Sequence, residues 1–170
     1  PRRAALGLEL YPVLTVWGGQ NAEGEQIMLA RCMDILDRHA LLSGPLLELY
    51  PEIGKDKLHA GILLHDIGKL EELDWGWDTD LSDEGHLVGH IVLGARMVSR
   101  AIEAIEGFPR SLAAELLHLV VSHHGRLEWG SPRRPKSIEA VALHHLDNLD
   151  AQVNRFKLLT ENARTNGETW

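Results

Sequence analysis

The stretch GILLHDIGKLEEL, residues 61–73, sets His65 and Asp66 side by side in the middle of an apolar run. An ionisable pair taken into an apolar interior is costly unless other groups satisfy it. Any fold this chain adopts must therefore bring partners to that pair, and the rest of the sequence offers them. EGHLVGH places His86 and His90 at i and i+4, VVSHHG places His123 and His124 together, and HHLDNLD places Asp147 and Asp150 at i and i+3. Residues three or four apart share one face of a helix, so each cluster can present its side chains in one direction. Ten histidines in 170 residues is a high count, and most of them fall in these clusters.

From Glu23 onward the sequence predicts helices almost throughout. EGEQIMLARCMDILDRH carries Ile27, Met28, Ala30, Ile35 and Leu36 at mixed three- and four-residue spacings, the pattern of an amphipathic helix. Ser43-Gly44-Pro45 predicts a break, because proline is tolerated mainly in a helix's first turn. PLLELY then forms a short helix before Pro51, and KDKLHAGILLHDIGK forms the next, closing near Gly68. After a loop with Trp75 and Trp77, Ser82 is placed to cap a long helix ending at Gly107. Residues 108–125 begin with proline and end with glycine, the asymmetry favoured by helices. RLEWGSPRRPK is a loop, and Ser137 can cap a final helix reaching about Asn162. The fold class is an all-α bundle. LYPVLTVWGGQ, residues 10–20, is rich in β-branched and aromatic residues and predicts a short strand or an extended arm.

A net charge of −8 argues against a surface that coats nucleic acid generally, so a polyanionic substrate needs a local basic patch or metal ions. No apolar run approaches the roughly 18–20 residues of a membrane span, which argues against a membrane partner. Cys32 is the only cysteine, which rules out an internal disulfide and fits a cytoplasmic setting. The chain opens on Pro1 rather than Met, as expected of a processed form or part of something longer.

Metal ligation satisfies His65-Asp66 at the least cost. Neutral imidazole and carboxylate together suit Mn, Fe, Zn, Ni, Co or Mg, with softer ions favoured by more imidazole. Adjacent residues on a helix diverge by about 100°, so both reach one ion only where the helix is ending. A buried pair hydrogen-bonded to backbone is the competing reading.

Taken together, HDIGK, then GH, SHHG and DNLDA resemble the HD superfamily of metal-dependent phosphohydrolases. EGHLVGHIVLGARM and LLHLVVSHHGRLEWGSPRRPKSIEAVALHHLDNLDA bring the resemblance closest to the YhaM-type 3′–5′ exoribonucleases, over roughly residues 40–160. The resemblance implies an HD-domain helical bundle over residues 23–170, with residues 1–22 an N-terminal arm or the remnant of an upstream segment. It implies that His65, Asp66 and Asp147 hold one divalent ion and that His90, His123 and His124 hold a second, with Asp66 shared. A hydroxide activated by both ions, Mn²⁺ favoured, would attack phosphorus while the ions offset charge on the transition state. Asp66 and Lys69 carry the catalytic roles, Lys69 by contacting a phosphate oxygen. The family places a further ligand histidine about 30 residues upstream; Ile35 occupies that position, and His39, one turn later, is the nearby candidate. The alternative is a segment absent between His39 and Ala40, which the match of ALLSGPLLELYP to the family's next helix favours.

On the substrate side, Arg126, Arg133, Arg134 and Lys136 gather in one loop directly after His123-His124, as a landing site for a phosphate backbone. Trp129 in that loop, with Trp75 and Trp77, can stack bases of a single strand or simply anchor the loops. His144, three residues before Asp147, and His86, four before His90, are candidate phosphate contacts. The expected activity is removal of nucleotides from the 3′ end of single-stranded RNA, with single-stranded DNA as a further substrate. Hydrolysis of a nucleotide or cyclic nucleotide is the alternative that the −8 charge favours. A catalytically weakened HD domain serving as a nucleic-acid-binding or assembly module is the third. YhaM-type proteins also carry an N-terminal OB-fold, and the fewer than forty residues before the matching region are too few for one. A homo-oligomer is left open.

Overall fold

The structure, a computed structural model, describes residues 22–75 and 79–167. The arm or strand expected near the N-terminus lies outside them, as do the side chains of Trp75 and Trp77. Helix α1 (Ala22–Leu49) leads into α2 (Lys55–Leu64) and the single turn α3 (Lys69–Glu72). A hairpin follows, β1 (Leu73–Trp75) paired antiparallel with β2 (Thr79–Leu81) in the register Leu73 to Leu81, Asp74 to Asp80, Trp75 to Thr79. Then come α4 (Asp83–Leu87), α5 (His90–Glu103), α6 (Arg110–Ser122), a 3₁₀ turn (Leu127–Trp129) and α7 (Ile138–Thr165). The all-α bundle stands, with the small hairpin as its one addition among the described residues. No described helix is long and apolar enough to cross a membrane.

The core forms where α2, α6 and α7 meet, around Leu58, Ile62, Leu119, Leu143 and Leu146, with Leu36, Leu46 and Leu47 of α1 packed against it. Ser137 and Ser82 cap their helices as their spacing predicts: Ser137 Oγ accepts from Ala140 N at 3.1 Å, and Ser82 Oγ from Gly85 N at 2.9 Å.

Three local expectations are corrected. The helix does not break at Ser43-Gly44-Pro45, because α1 runs on to Leu49 with Pro45 inside it. An interior proline removes one helical hydrogen bond and costs about 3 kcal/mol or more. Here Leu46 and Leu47 seat that last stretch on the core, and Ser43 Oγ donates to Ala40 O at 2.8 Å. Burial across the bundle outweighs the local penalty.

The helix that Ser82 caps is not one long helix but two, α4 and α5, parted at Val88-Gly89, where Gly89 takes φ +78°. His86 and His90 are therefore not on one helical face. The helix carrying the His-Asp pair ends earlier than expected, at Leu64, with His65 as its cap residue. Gly68 stays right-handed, at φ −65°. Its lack of a side chain serves close approach instead, since a Cβ there would overlap the His90 carbonyl oxygen and crowd Gly94 N at 2.5 Å.

Candidate metal centre

His65 and Asp66 sit where α2 gives out, so the two neighbouring side chains turn into one space rather than diverging around a helix. His123 occupies the equivalent place at the end of α6, with His124 next to it, and His90 opens α5. His39 reaches in from α1 and Asp147 from α7. Two three-residue groups result, His39 with His65 and Asp147, and His90 with His123 and His124. Within each group the candidate ligand atoms lie within 4.8 Å of one another.

Asp66 stands between the groups. Its Oδ1 is 3.6 Å from His90 Nε2 and 3.7 Å from His123 Nε2, while its Oδ2 is 3.5 Å from His65 Nε2. Asp147 Oδ1 is 3.6 Å from His65 Nε2 and 3.9 Å from His39 Nε2. These separations exceed hydrogen-bond reach. Accordingly His39 Nδ1 and Nε2, and Nε2 of His65, His90 and His123, are buried without a hydrogen-bond partner among the described residues. Buried polar atoms are normally satisfied, so orphaned ring nitrogens converging on carboxylates fit a divalent cation.

The tautomers point the same way. His65 Nδ1 donates to Ile62 O at 2.9 Å, His123 Nδ1 to Val120 O at 2.7 Å and His124 Nδ1 to Trp129 O at 2.8 Å. A carbonyl oxygen only accepts, so the proton rests on Nδ1 and Nε2 carries the lone pair aimed at the centre. His90 reaches the same state through Glu72, whose Oε1 accepts from Nδ1 at 2.9 Å.

The electrostatics follow from burial and charge. Burial, aided by nearby His65, pushes the His39 pKa down. The same two causes bring His123 to about 3. Burial also opposes charge on His65, yet Asp147 and Asp66 outweigh it and raise that pKa. Asp66 stays ionised: burial pushes its pKa up, but His65 and Lys69 hold it well below the usual carboxylate range. Lys69 Nζ donates to Asp66 Oδ2 at 2.5 Å, and against its own burial that carboxylate raises the lysine's pKa.

His39 lies in the first group and is fully buried, and α1 passes unbroken through His39 and Ala40. The helix shows no break at the junction where an absent segment was the alternative, and His39 stands among the candidate ligands. His144 also reaches the centre: its Nδ1 donates to His123 O at 2.8 Å, and it lines a cleft of about 250 Å³ with Trp129, Asp147 and Asn148. His86 lies exposed on α4 and belongs to neither group. Arg126, Arg133, Arg134 and Lys136 are exposed along the loop beside the cleft, with the Arg126 guanidinium 4.8 Å above the Trp129 ring.

Two features had no sequence signal. Glu72, eighteen residues before His90, supports it across a tertiary contact. Arg38 forms a bidentate pair with Asp150, at 2.7 and 2.9 Å, whose Oδ2 is 3.7 Å from His39 Nε2. Asp150 was visible as the i+3 partner of Asp147, but nothing in the sequence joins it to Arg38, 112 residues away.

The HD domain family matches this chain over residues 28–152. A 3′-5′ exoribonuclease YhaM of Bacillus subtilis (strain 168) is 40% identical over 123 residues, covering 72% of this chain and 39% of that protein. The YhaM protein of Shouchella clausii (strain KSM-K16) is 46% identical over 109 residues, covering 64% of this chain and 34% of its own length. That of Bacillus pumilus (strain SAFR-032) is 41% identical over 123 residues, 72% of this chain and 39% of the relative. The chain thus spans well under half the length of these curated relatives. No solved structure matches it. With the family matched over most of its length and the histidine and aspartate side chains converging as described, this chain belongs to the HD domain family.

Proposed function

We propose that the chain is the catalytic domain of a cytoplasmic, metal-dependent 3′–5′ exonuclease acting on single-stranded RNA, with two divalent ions, Mn²⁺ favoured. One observation carries this: the two oxygens of a single partly buried carboxylate, Asp66, face two separate sets of candidate ligands. His39, His65 and Asp147 would hold one ion, His90, His123 and His124 the other, and Asp66 would serve both. When bound, such ions supply Lewis-acid stabilisation of phosphoryl charge and lower the pKa of water.

The chain's own residues do the rest. The Nδ1 hydrogen bonds keep four imidazoles aimed at the centre without reorganisation. Lys69 keeps a positive charge at the edge of the site for a phosphate oxygen. Trp129, half-exposed and faced by Arg126, offers a stacking surface for a base, and His144 and Asn148 line the cleft beneath it. Arg133, Arg134 and Lys136 follow the incoming backbone. The names of the relatives support RNA as substrate.

A second reading, hydrolysis of a nucleotide or cyclic nucleotide, is favoured by the net charge of −8 and the small cleft of about 250 Å³. The place of His39 in the first candidate group speaks against the non-hydrolytic module, whose motive was a missing histidine.

The test is incubation of the chain, after metal analysis, with 5′-labelled single-stranded RNA and Mn²⁺. A ladder shortening from the 3′ end is expected, whereas turnover of mononucleotides or cyclic nucleotides alone would replace this reading with the second. Replacing Arg133, Arg134 and Lys136 together by alanine should weaken RNA binding and flatten its log–log salt dependence by about 2, at roughly 0.7 per lost contact on a single strand. An unchanged slope would remove the loop from the binding surface.

A further inference from the structure

Building on His90 as a metal ligand, we propose that Glu72 is a positioning residue, one of whose carboxylate oxygens fixes both the backbone and the ring of His90. His90 opens α5 behind Gly89, which has no side chain to cap the helix. The first amides of a helix lack internal partners. Glu72 Oε1 accepts from His90 N at 2.8 Å and from His90 Nδ1 at 2.9 Å. Tying the ring to its own backbone through one oxygen leaves the imidazole a single orientation, with Nε2 turned to Asp66 Oδ1 at 3.6 Å.

Glu72 is itself held. Its carbonyl accepts from Ser82 N at 2.9 Å and Ser82 Oγ at 3.2 Å, and its side chain is only 14% exposed. Gly85 packs so closely that a Cβ there would overlap the Glu72 carbonyl. One residue thus anchors both ends of the segment 82–90 that delivers the ligand. His65, His123 and His124 orient their rings on backbone carbonyls of Ile62, Val120 and Trp129. His90 uses a side-chain carboxylate, which makes the opposite nitrogen a stronger donor to a cation than a carbonyl does.

The experiment is calorimetric and absorption titration of the metal-free chain with Co²⁺, comparing Glu72→Ala, Glu72→Gln and His90→Ala. Glu72→Ala should weaken by about 10–100-fold the one binding step that His90→Ala abolishes, leave the other step unchanged, and add nothing in the His90→Ala background. Glu72→Gln keeps an accepting oxygen without the charge, so it should weaken that step less and retain the hydrogen-bonded Nδ1–H resonance of His90 in the metal-free chain. Glu72→Ala should lose that resonance. Equal weakening of both steps, as general loosening of α5 would give, overturns the proposal, as does unchanged binding or a resonance that survives Glu72→Ala. Two undisturbed steps in His90→Ala would overturn it at its foundation, by removing His90 from the ligand set. None of these readouts depends on hydrolysis of RNA.

Discussion

Asp66→Ala is expected to leave the chain with at most one of its two proposed ions and to lower turnover of single-stranded RNA by at least about 10³-fold, or roughly 4 kcal/mol of transition-state stabilisation. The size follows from position. Asp66 Oδ1 faces His90 and His123, and Oδ2 faces His65 and Lys69, so one substitution takes a negative ligand from both groups. It also leaves the Lys69 ammonium and the orphaned Nε2 atoms of His65, His90 and His123 beside it with less negative charge to attract a cation. Asp66→Asn, nearly the same size, separates charge from volume and should fail almost as badly, because an amide oxygen is a poor bridge between cations. The measurement is metal content by mass spectrometry beside hydrolysis of 5′-labelled RNA, with circular dichroism confirming the helices. Retained activity with two bound ions would sink the two-ion mechanism.

His39→Leu is expected to remove one ion, spare the other, and cost roughly 10²–10³-fold in turnover, about 3–4 kcal/mol of barrier. His39 belongs to the group with His65 and Asp147, and the three-imidazole group does not include it. It also differs from the other ligand histidines in that neither ring nitrogen has a hydrogen-bond partner. A buried polar group left unsatisfied costs about 1–3 kcal/mol, and an apolar replacement of similar shape can be neutral or stabilising. The metal-free His39→Leu chain should therefore melt no lower than the parent even as catalysis falls, the pattern of a residue retained for function. Calorimetric melting of both metal-free chains, together with ion counting, checks this. Full activity and two ions in the variant would show that His39 is not the upstream ligand.

Much of the site was legible along the chain, because metal ligation leaves a chemical trace in the sequence. A His-Asp pair has no reason to interrupt GILL unless something pays for its burial, and His90, His123, His124 and Asp147 recur on later helical segments with the right donor atoms. Serine caps were legible for a similar reason: Ser82 and Ser137 act on amides three residues away. The hairpin at 73–81 was not, since strands of three residues are too short to show a period and set Asp74 opposite Asp80. Pro45 misled, because its penalty is local and the packing of Leu46 and Leu47 that offsets it comes from the core.

By itself the sequence determined the helical class, the helix ends that serine caps mark, and the chemical kind of the centre, all consequences of side-chain type and spacing over a few residues. Tertiary structure decided which side chains share a group, that His39 joins His65 and Asp147, that His86 is parted from His90, and that Glu72 bonds His90 while Arg38 bonds Asp150. Those outcomes rest on contacts such as Glu72 to His90 and Arg38 to Asp150, eighteen and 112 residues apart. Only the folded bundle brings such pairs within 3 Å, and no local pattern encodes which distant residue will arrive.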